Sequence, residues 1–233
     1  MTALFAILLY GAVAVLVIGL AVKIRRYATV PAPLKIPLTP APTTAGGVVL
    51  RMAREVLLFA SLFHSNKWIW LFGWMFHVAL VVVLLAHLRY FTEPVWFWVV
   101  WLQPFGKYAA FAMIGGLGAL WFRRLAAERT RYISAPSDHF MLLLLIAIAA
   151  SGMTMRFLAP IDIVALKGFA LGLVRADWLP LPDDPVLMIH LALVAGLLII
   201  FPFSKLLHAP GLFFSPSRTQ IDNARDKRYR PKA

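Results

Sequence analysis

Five long apolar stretches constrain this chain more than any other feature of its sequence. They cover residues 2–22, 68–88, 105–122, 140–157 and 186–207. A helix needs about 20 apolar residues to cross the hydrocarbon core of a bilayer. The stretches are continuously apolar and do not alternate with polar residues, as the strands of a membrane barrel would. The sequence therefore predicts an all-α membrane protein with five transmembrane helices.

The basic residues are concentrated on one side of this predicted membrane domain. The formal net charge is +13, and segments 23–67, 123–138 and 205–233 contain 18 of the 23 Lys and Arg residues. Because Lys and Arg are enriched in cytoplasmic loops, the N-terminus is predicted outside and the C-terminus in the cytoplasm. Basic residues beside membrane spans usually contact anionic lipid, so membrane lipid is a predicted partner and nucleic acid is not.

The residues outside the spans predict one five-span domain and a tail. Residues 1–210 form the domain, and residues 211–233 form a basic cytoplasmic tail with little fixed structure of its own. Segment 46–66 of the first cytoplasmic loop has helical apolar spacing. This spacing predicts an amphipathic helix that lies on the inner membrane surface or packs against a partner subunit. Before it, PAPLKIPLTPAPT (31–43) contains five prolines and is predicted to be extended.

Two shorter apolar segments are predicted to lie at the membrane interface. VWFWVVWL (95–102) is too short to span a bilayer, and its three tryptophans favour the membrane–water boundary. IDIVALKGFALGLV (161–174) is predicted to be an interfacial helix on the outer side.

The absence of cysteine limits the redox chemistry that this chain can hold. With no Cys, it cannot ligate an iron–sulfur cluster through thiolates, attach haem through a CxxCH motif or form a disulfide. Any iron–sulfur centre linked to this chain must therefore belong to a partner.

Histidine is concentrated in two of the five spans. His77 and His87 lie in or at the end of the second span, and His190 and His208 in or at the end of the fifth. Ionisable side chains are costly inside a membrane, so these are candidate functional residues. Ten residues of helix rise about 15 Å, and His77 and His87 therefore cannot share one small metal ion. Eighteen residues make five turns, which predicts that His190 and His208 point the same way about 27 Å apart.

The predicted topology pairs these histidines by depth. The second and fifth spans run antiparallel, so His77 lies with His208 near the inner face and His87 with His190 near the outer face. Two facing imidazoles suit haem iron, and the sequence therefore predicts two bis-histidine haems b. The spacings of about 15 and 27 Å do not match, and a kink at Pro202 is predicted to absorb part of the difference. The alternative for each residue is a structural histidine that bonds a backbone carbonyl.

The two remaining histidines are not predicted to be ligands. His64 and His139 lie just outside spans on the predicted inner side, and neither has a counterpart at its depth. An ordinary interfacial role is expected for both.

The spacing His-x9-His in one span and His-x17-His in another resembles the gamma subunit of respiratory nitrate reductase. That family is a five-span dihaem cytochrome b of the bacterial or archaeal cytoplasmic (inner) membrane, with its N-terminus outside. The resemblance implies that His77 and His208 hold the inner haem. It implies that His87 and His190 hold the outer haem.

Two segments narrow the resemblance to one branch. SLFHSNKWIWLFGWMFHVALVVVLLAHLRYF (61–91) and FPFSKLLHAPGLFFSPSRTQIDN (201–223) are similar to subunit M of the Dsr complex, the membrane assembly linked to dissimilatory sulfite reductase. The long first cytoplasmic loop departs from the nitrate reductase pattern and favours Dsr. This resemblance implies a cytoplasmic, heterodisulfide-reductase-like iron–sulfur partner of the Dsr subunit K type, together with other Dsr membrane and periplasmic subunits.

Lys107 lies in QPFGKYAA, at the outer start of the third span. In the nitrate reductase gamma family, a lysine at this distance after the outer histidine helps to form the quinol site, so the resemblance implies a quinone-binding role for Lys107. A protonated lysine can donate to a quinone oxygen and stabilise its developing negative charge. The alternative is a lysine that snorkels to the outer interface.

The sequence thus predicts an electron-transfer subunit with no catalytic residues of its own. It exchanges electrons between the quinone pool and a cytoplasmic iron–sulfur partner through two haems b, in the Dsr complex of sulfur metabolism. The alternative within the family is the gamma subunit of a respiratory nitrate reductase or another quinol-linked complex. A histidine-relay transporter and a plain membrane anchor are the alternatives of a different class, although the predicted spans contain no Asp or Glu for a relay.

Overall fold

Helices form most of the chain, and short connections join them. The computed structural model describes residues 1–31 and 36–223, and within these ranges it has no β-strand. The α-helices are α1 (Thr2–Thr29), α2 (Ala45–Leu58), α3 (Ala60–Ser65), α4 (Lys67–His87), α5 (Phe97–Ala126), α6 (Glu128–Ile133), α7 (Pro136–Met153), α8 (Ile163–Arg175), α9 (Pro185–Ile200), α10 (His208–Gly211) and α11 (Pro216–Thr219).

Five helical segments of the described residues are long and apolar enough to cross a membrane. They are Thr2–Thr29, Lys67–Tyr90, Phe97–Ala126, Pro136–Leu158 and Pro185–Phe203. Only 17–22% of the residues in their most apolar windows are buried, so most of their side chains are at least partly accessible where lipid would contact them. The predicted all-α class with five candidate transmembrane helices is confirmed. The side of the membrane on which each terminus lies stays a prediction.

Polar side chains fix the starts of two of these helices. The Asn66 side chain accepts a hydrogen bond of 3.0 Å from the third residue of α4. The Asp162 side chain accepts from the N–H groups of Val164 and Ala165 at the start of α8. Such caps satisfy first-turn N–H groups that have no partner within the helix. The helix predicted over 161–174 is thus present as α8.

The first of two compact units contains a close seam between α4 and α5. This unit comprises Met1–Ala12 and Asn66–Leu197. A Cβ atom added to Gly116 would lie 2.8 Å from the carbonyl oxygen of Phe72, so only glycine permits this approach of the two helices. The core of the seam, which α7 completes, consists of buried apolar side chains: Phe76, Ala79, Met113, Leu117, Leu145 and Ala149.

A second cluster in this unit packs α8 against α1 and α9. Phe169 of α8 is 1% exposed and packs with Phe5 and Leu187. The hydroxyl of Tyr10 donates a hydrogen bond of 2.6 Å to the carbonyl of Leu173. Because one face of α8 is buried in this way, α8 is a packed element of the unit as well as an apolar helix beside the spans.

The second unit ties the first loop to the C-terminal segment. It comprises Val13–Ser65 and Leu198–Ala233. The N–H of Leu38 donates to the carbonyl of Ser217 at 2.7 Å. A Cβ atom added to Gly19 would lie 2.5 Å from Cβ of Pro202, so α1 passes close to that proline. In the proline-rich segment 31–43, residues 32–35 lie outside the described residues and the others are non-helical, as predicted.

The tail 211–233, predicted to have little fixed structure of its own, forms short helical turns within its described part, which ends at residue 223. Arg218 donates to the hydroxyl of Ser61 at 3.0 Å and pairs with the carboxylate of Glu55 at 3.3 Å. These contacts with the first loop stabilise the tail, and the sequence pattern of the tail alone does not reveal them. Residues 224–233 lie outside the described residues.

The amphipathic segment 46–66 is helical, but it is not one helix. Phe59 lies between α2 and α3 with φ 49° and ψ 46°, in the left-handed region. Few non-glycine residues adopt this conformation, and it turns the chain sharply. The helical apolar spacing of segment 46–66 therefore does not continue unbroken beyond α2.

Residues 97–102 of the segment predicted at the interface form the first part of α5, and their position relative to the membrane stays a prediction. Val99 is fully buried, and the side chain of Gln103 donates to the carbonyls of Val99 and Ala86 at 3.2 and 3.0 Å. Pro104 is accommodated within the helix. Because Val99 and Gln103 tie this end of α5 to the end of α4, the helix continues through the tryptophan-rich segment.

The fifth span does not continue as one helix to His208. After α9, a 3₁₀ turn at Phe201–Phe203 ends at Ser204, which has φ −108° and ψ 174° and is extended. A second 3₁₀ turn, Lys205–Leu207, precedes His208. Pro202 lacks the N–H that would continue the helical hydrogen bonds. The prediction of five full helical turns from His190 to His208 is therefore wrong.

Candidate functional site

α4 carries two of the four predicted ligands on one continuous helix. Nδ1 of His77 is 2.7 Å from the carbonyl oxygen of Gly73, and Nδ1 of His87 is 2.7 Å from that of Val83. A carbonyl oxygen can only accept, so each Nδ1 carries the hydrogen and donates it. The lone pair of each neutral ring then lies on Nε2, the atom available to a metal.

α9 carries His190, whose Nδ1 is held by a side chain. Nδ1 lies 2.9 Å from Oγ of Ser151 on α7. The Ser151 hydroxyl donates to the carbonyls of Ala147 and Ile148 at 2.9 and 3.0 Å, so its oxygen is the acceptor for the Nδ1–H of His190. Gly152 lies beside the ring, and a Cβ atom there would be in ordinary van der Waals contact with it, 3.6 Å from Cε1 of His190.

His87 and His190 belong to the same unit and lie close together. Their rings are within range of electrostatic interaction with each other. The end of α4 that carries His87 is fixed to α5 by Gln103, whose side-chain oxygen accepts from Arg89 at 3.1 Å. Gly106 permits the close approach, since a Cβ atom there would lie 2.7 Å from the nearest side chain of α4. The structure brings together the two histidines of the predicted outer pair, and their haem ligation stays a prediction.

His208 has a similar Nδ1 contact in a different backbone. It begins the one-turn helix α10, and its Nδ1 lies 3.0 Å from the carbonyl oxygen of Lys205. The side chain is exposed, as is that of His87. His77 belongs to the first unit and His208 to the second. The pairing of these two histidines therefore stays a prediction.

The chemistry of this donor set fits bis-histidine haem ligation. All four Nδ1 atoms lie within hydrogen-bond distance of an oxygen. Histidines that ligate metals usually make such a bond with the second ring nitrogen, which fixes the tautomer and the ring orientation. Across residues 1–31 and 36–223, no group of three or more His, Cys, Asp or Glu side chains is arranged to hold a metal ion. Haem iron needs only axial ligands from the protein, because the macrocycle supplies the others.

Lys107 is half-buried among aromatic rings. Its Nζ lies 5.2 Å from the ring centroid of Tyr108 and 5.7 Å from that of Phe157. A cation over a ring face is attracted by the ring quadrupole. Phe157 follows Ser151 by six residues, which is about 9 Å along a helix. The ammonium group therefore lies near the end of α7 that also positions His190.

Sequence reasoning missed two residues that position the histidines. Ser151 is one of them, and Gln103 is the other. A signal existed for Ser151, because it is the first polar side chain after a run of eleven apolar residues, from residue 140 to residue 150. Such a residue in a membrane helix usually bonds within the helix or to a neighbour. No comparable signal marks Gln103, whose partners are backbone carbonyls that are distant in sequence.

An apolar groove of about 550 Å³ lies between α4 and α5, away from the histidines. Its walls include Trp74, Val78, Phe105 and Tyr108, and none of the four predicted ligands. His77 and Val78 are adjacent in sequence and therefore point about 100° apart on α4. The groove therefore lies on a different face of α4 from His77.

The predicted boundary of the fourth span excluded a carboxylate that the observed helix includes. Asp138 lies in the first turn of α7, where it accepts from the N–H of Ala135 at 3.1 Å and pairs with Arg124 at 3.5 Å. These are the contacts of a helix cap. His139, which was not predicted to be a ligand, accepts at Nδ1 from the indole N–H of Trp121 at 3.2 Å.

Comparison with known families identifies related membrane subunits. The sequence profile of the nitrate reductase gamma subunit family matches residues 43–218. The match includes all four predicted ligands and Lys107. The resemblance drawn from the histidine spacing is therefore confirmed at the level of the family.

Three relatives of known sequence extend this result. The Hdr-like menaquinol oxidoreductase cytochrome b-like subunit of Archaeoglobus fulgidus is 34% identical over 265 aligned positions, which cover 94% of this chain and 80% of that protein. The subunit of the same name from Archaeoglobus profundus is 30% identical, with 97% and 81% covered. The respiratory nitrate reductase 2 gamma chain of Escherichia coli is 29% identical over 174 positions, which cover 65% of this chain and 76% of that one.

Proposed function

Because the chain belongs to the nitrate reductase gamma subunit family, we propose that it is the membrane cytochrome b subunit of a quinone-linked oxidoreductase complex. It is a multi-pass membrane protein, with five apolar helices in its described residues. Two archaeal relatives are named as cytochrome b-like subunits of a menaquinol oxidoreductase. The observation that carries the proposal is the family match over residues 43–218, which includes all four histidines. Their Nδ1 contacts are compatible with Nε2 as the ligand atom, and a structural histidine would make the same contact with a carbonyl.

Two histidine pairs hold the two haems b in this proposal. His87 and His190 hold one of them, and their closeness in the first unit supports this pair. His77 and His208 hold the other, and the predicted antiparallel course of the second and fifth spans supports that pair. When bound, a haem b takes up and gives up one electron at its iron. The backbone carbonyls and Ser151 keep the hydrogen of the neutral ring on Nδ1, which leaves the lone pair on Nε2 to ligate the iron.

Lys107 binds the quinone headgroup in this proposal. Its Nζ is held over two aromatic rings, near the end of α7 that positions His190. A quinone bound there would receive a hydrogen bond from a cation at the oxygen that becomes negatively charged. In a water-poor site such a contact stabilises developing charge strongly. If Lys107 only snorkels to the interface, its aromatic contacts pack the side chain and have no further role.

The partner in this proposal is a cytoplasmic iron–sulfur subunit, because this chain has no cysteine with which to hold a cluster. Relatives of this chain are named as subunits of oxidoreductase complexes, which supports other subunits. Membership of the Dsr complex, with its heterodisulfide-reductase-like subunit K, is the narrower proposal. The gamma subunit of a nitrate reductase is the alternative, although the relative of that name covers less of this chain than the archaeal subunits do.

Reduction by a quinol tests this function directly. The chain, purified with its partner subunits, should show the absorption bands of low-spin b-type haem. A menaquinol analogue should reduce those haems without any other reductant. A colourless complex would contradict the cytochrome function and leave the membrane anchor and the histidine-relay transporter as alternatives. A coloured complex that no quinol reduces would contradict the link to quinone.

A further inference from the structure

A basic pocket lies in the second unit, and none of the four candidate ligand histidines lines it. Its volume is about 430 Å³, and it is enclosed by the start of the first loop, α2 and α3. The side chains that matter for its chemistry are Arg51, Arg54, Glu55, Ser61 and His64. Nothing in the proposed electron-transfer function uses this pocket.

Arg51 brings an unsatisfied donor to the pocket. Its Nη2 donates to the carbonyl of Leu38 at 3.1 Å, which fixes the guanidinium group. Its Nη1 is buried and has no hydrogen-bond partner among the residues that the structure describes. A buried charged donor without a partner costs free energy, so this group needs a partner such as a ligand, an ion or water.

The one carboxylate of the pocket is already neutralised. Glu55 pairs with Arg218 at 3.3 Å and accepts hydrogen bonds from both the hydroxyl and the N–H of Ser61. Arg51 and Arg54 have no carboxylate partner within residues 1–31 and 36–223. The pocket is therefore positively charged, and a planar guanidinium group matches the oxygens of a phosphate group well.

The other face of α2 indicates where that phosphate comes from. Val49, Leu50 and Leu57 are 69%, 62% and 68% exposed, and they lie on the side of α2 away from Arg51. An amphipathic helix beside membrane spans buries such a face at the boundary of the headgroups and acyl chains. Leu50 and Leu57 lie next to Arg54 around the helix. The acyl chains of a lipid whose headgroup is held in the pocket would therefore reach these two leucines directly.

We propose that the basic pocket binds the phosphate group of an anionic phospholipid, through Arg51 and Arg54 with His64 at its edge. The lipid would fasten the first loop to the membrane surface on the same side as α2. The exposed leucines of α2 would contact its acyl chains. This site is independent of the proposed haem and quinone function.

The test is lipid retention and lipid binding by the purified complex. Native mass spectrometry should find phosphatidylglycerol bound after extensive washing in neutral detergent. Titration with short-chain phosphatidylglycerol should then give a dissociation constant at least about tenfold lower than that of the phosphatidylcholine with the same chains, since hydrogen bonds to charged groups are the stronger ones. Arg51→Gln and Arg54→Gln should each weaken phosphatidylglycerol binding about tenfold.

The controls separate the site from general charge and from folding. Arg129→Gln removes a cation from an exposed position on the same predicted side of the membrane and should leave binding unchanged. Arg54→Gln removes no hydrogen bond to another residue in ranges 1–31 and 36–223, so it tests the site even if Arg51→Gln disturbs the loop at Leu38. If inorganic phosphate binds as tightly as the lipid, the proposal that the bound phosphate group belongs to a phospholipid is wrong. Equal binding by Arg54→Gln and the unchanged protein would overturn the site, as would tighter binding of an acidic peptide than of the lipid.

Discussion

His190 and His208 were predicted from one span, yet the structure gives them different backbones. His190 lies within the regular helix α9, and its Nδ1 contacts a serine side chain of another helix. His208 follows an extended residue and two 3₁₀ turns, and its Nδ1 contacts the carbonyl of Lys205 in its own segment. Residue spacing therefore predicts the relative orientation of two side chains only as far as the helical hydrogen bonds continue between them. The contact at Nδ1 is nevertheless the same in both places, which indicates that the ring orientation, and not the helix, is the shared feature.

The largest effects should come from the histidines themselves. Replacing His87 or His190 by alanine should remove the same haem, and replacing His77 or His208 should remove the other, because a low-spin haem needs both axial ligands. Each variant should retain about one haem per chain by pyridine haemochrome analysis. The retained haem should be spectrally identical within each pair. If His87→Ala and His208→Ala retained the same haem, the pairing would be wrong.

The next largest effect should come from Lys107, near His190, and should appear in the rate of haem reduction by quinol. Lys107→Ala should slow haem reduction by a quinol analogue about ten- to a hundredfold, because a hydrogen bond to a charged group contributes roughly 1.5–3 kcal/mol. Haem content and reduction by dithionite should not change. Lys167→Ala removes a lysine from the predicted outer helix α8 and serves as the matched control. Unchanged quinol kinetics in Lys107→Ala would assign this lysine to the interface.

The stability of the first unit should depend on the close packing between α4 and α5. Gly116→Ala should lower the free energy of unfolding by about 1–3 kcal/mol, since its Cβ atom would meet the backbone of Phe72. Gly118→Ala, on the same helix, meets nothing within 4 Å and should be neutral or slightly stabilising. Thermal unfolding in detergent compares the two. Equal stability of both variants would show that the helices can separate at little cost.

The smallest effect should distinguish the serine contact from the carbonyl contacts. Accepting the Nδ1–H makes the imidazole a more basic ligand, which favours oxidised iron. Ser151→Ala should therefore raise the midpoint potential of the haem held by His190 by roughly 20–60 mV, the equivalent of one ordinary hydrogen bond. Ser151→Thr keeps the hydroxyl and should restore the original potential. A redox titration that shows no shift, or an equal shift of both haems, would reject this role.

Apolar patterning was sufficient to predict the five spans, because lipid requires long continuous apolar helices. The same patterning did not reveal the end of α9, where a proline and an extended serine interrupt an apolar run that continues to residue 207. It also separated VWFWVVWL from α5, because nothing local shows that Val99 is buried and Gln103 bonds to α4. The order of the tail around Arg218 depends on the distant Glu55 and Ser61, and local sequence does not contain such contacts.

The four histidines could be chosen from the sequence because polar residues are rare in these spans and therefore conspicuous. Their second contacts could not be predicted, since a carbonyl acceptor is present at every helical residue and leaves no mark in the sequence. Ser151 is the exception, because it is a polar residue in an apolar run. It shows that a search for such residues near candidate ligands would have improved the prediction.

The number of haems per chain tests the central claim most directly. Pyridine haemochrome analysis of the purified complex, combined with quantitative amino-acid analysis of this chain, measures the ratio. The account predicts about two b-type haems for each chain, one for each histidine pair. A ratio near one would remove one of the pairs, and a ratio near zero would contradict the account as a whole.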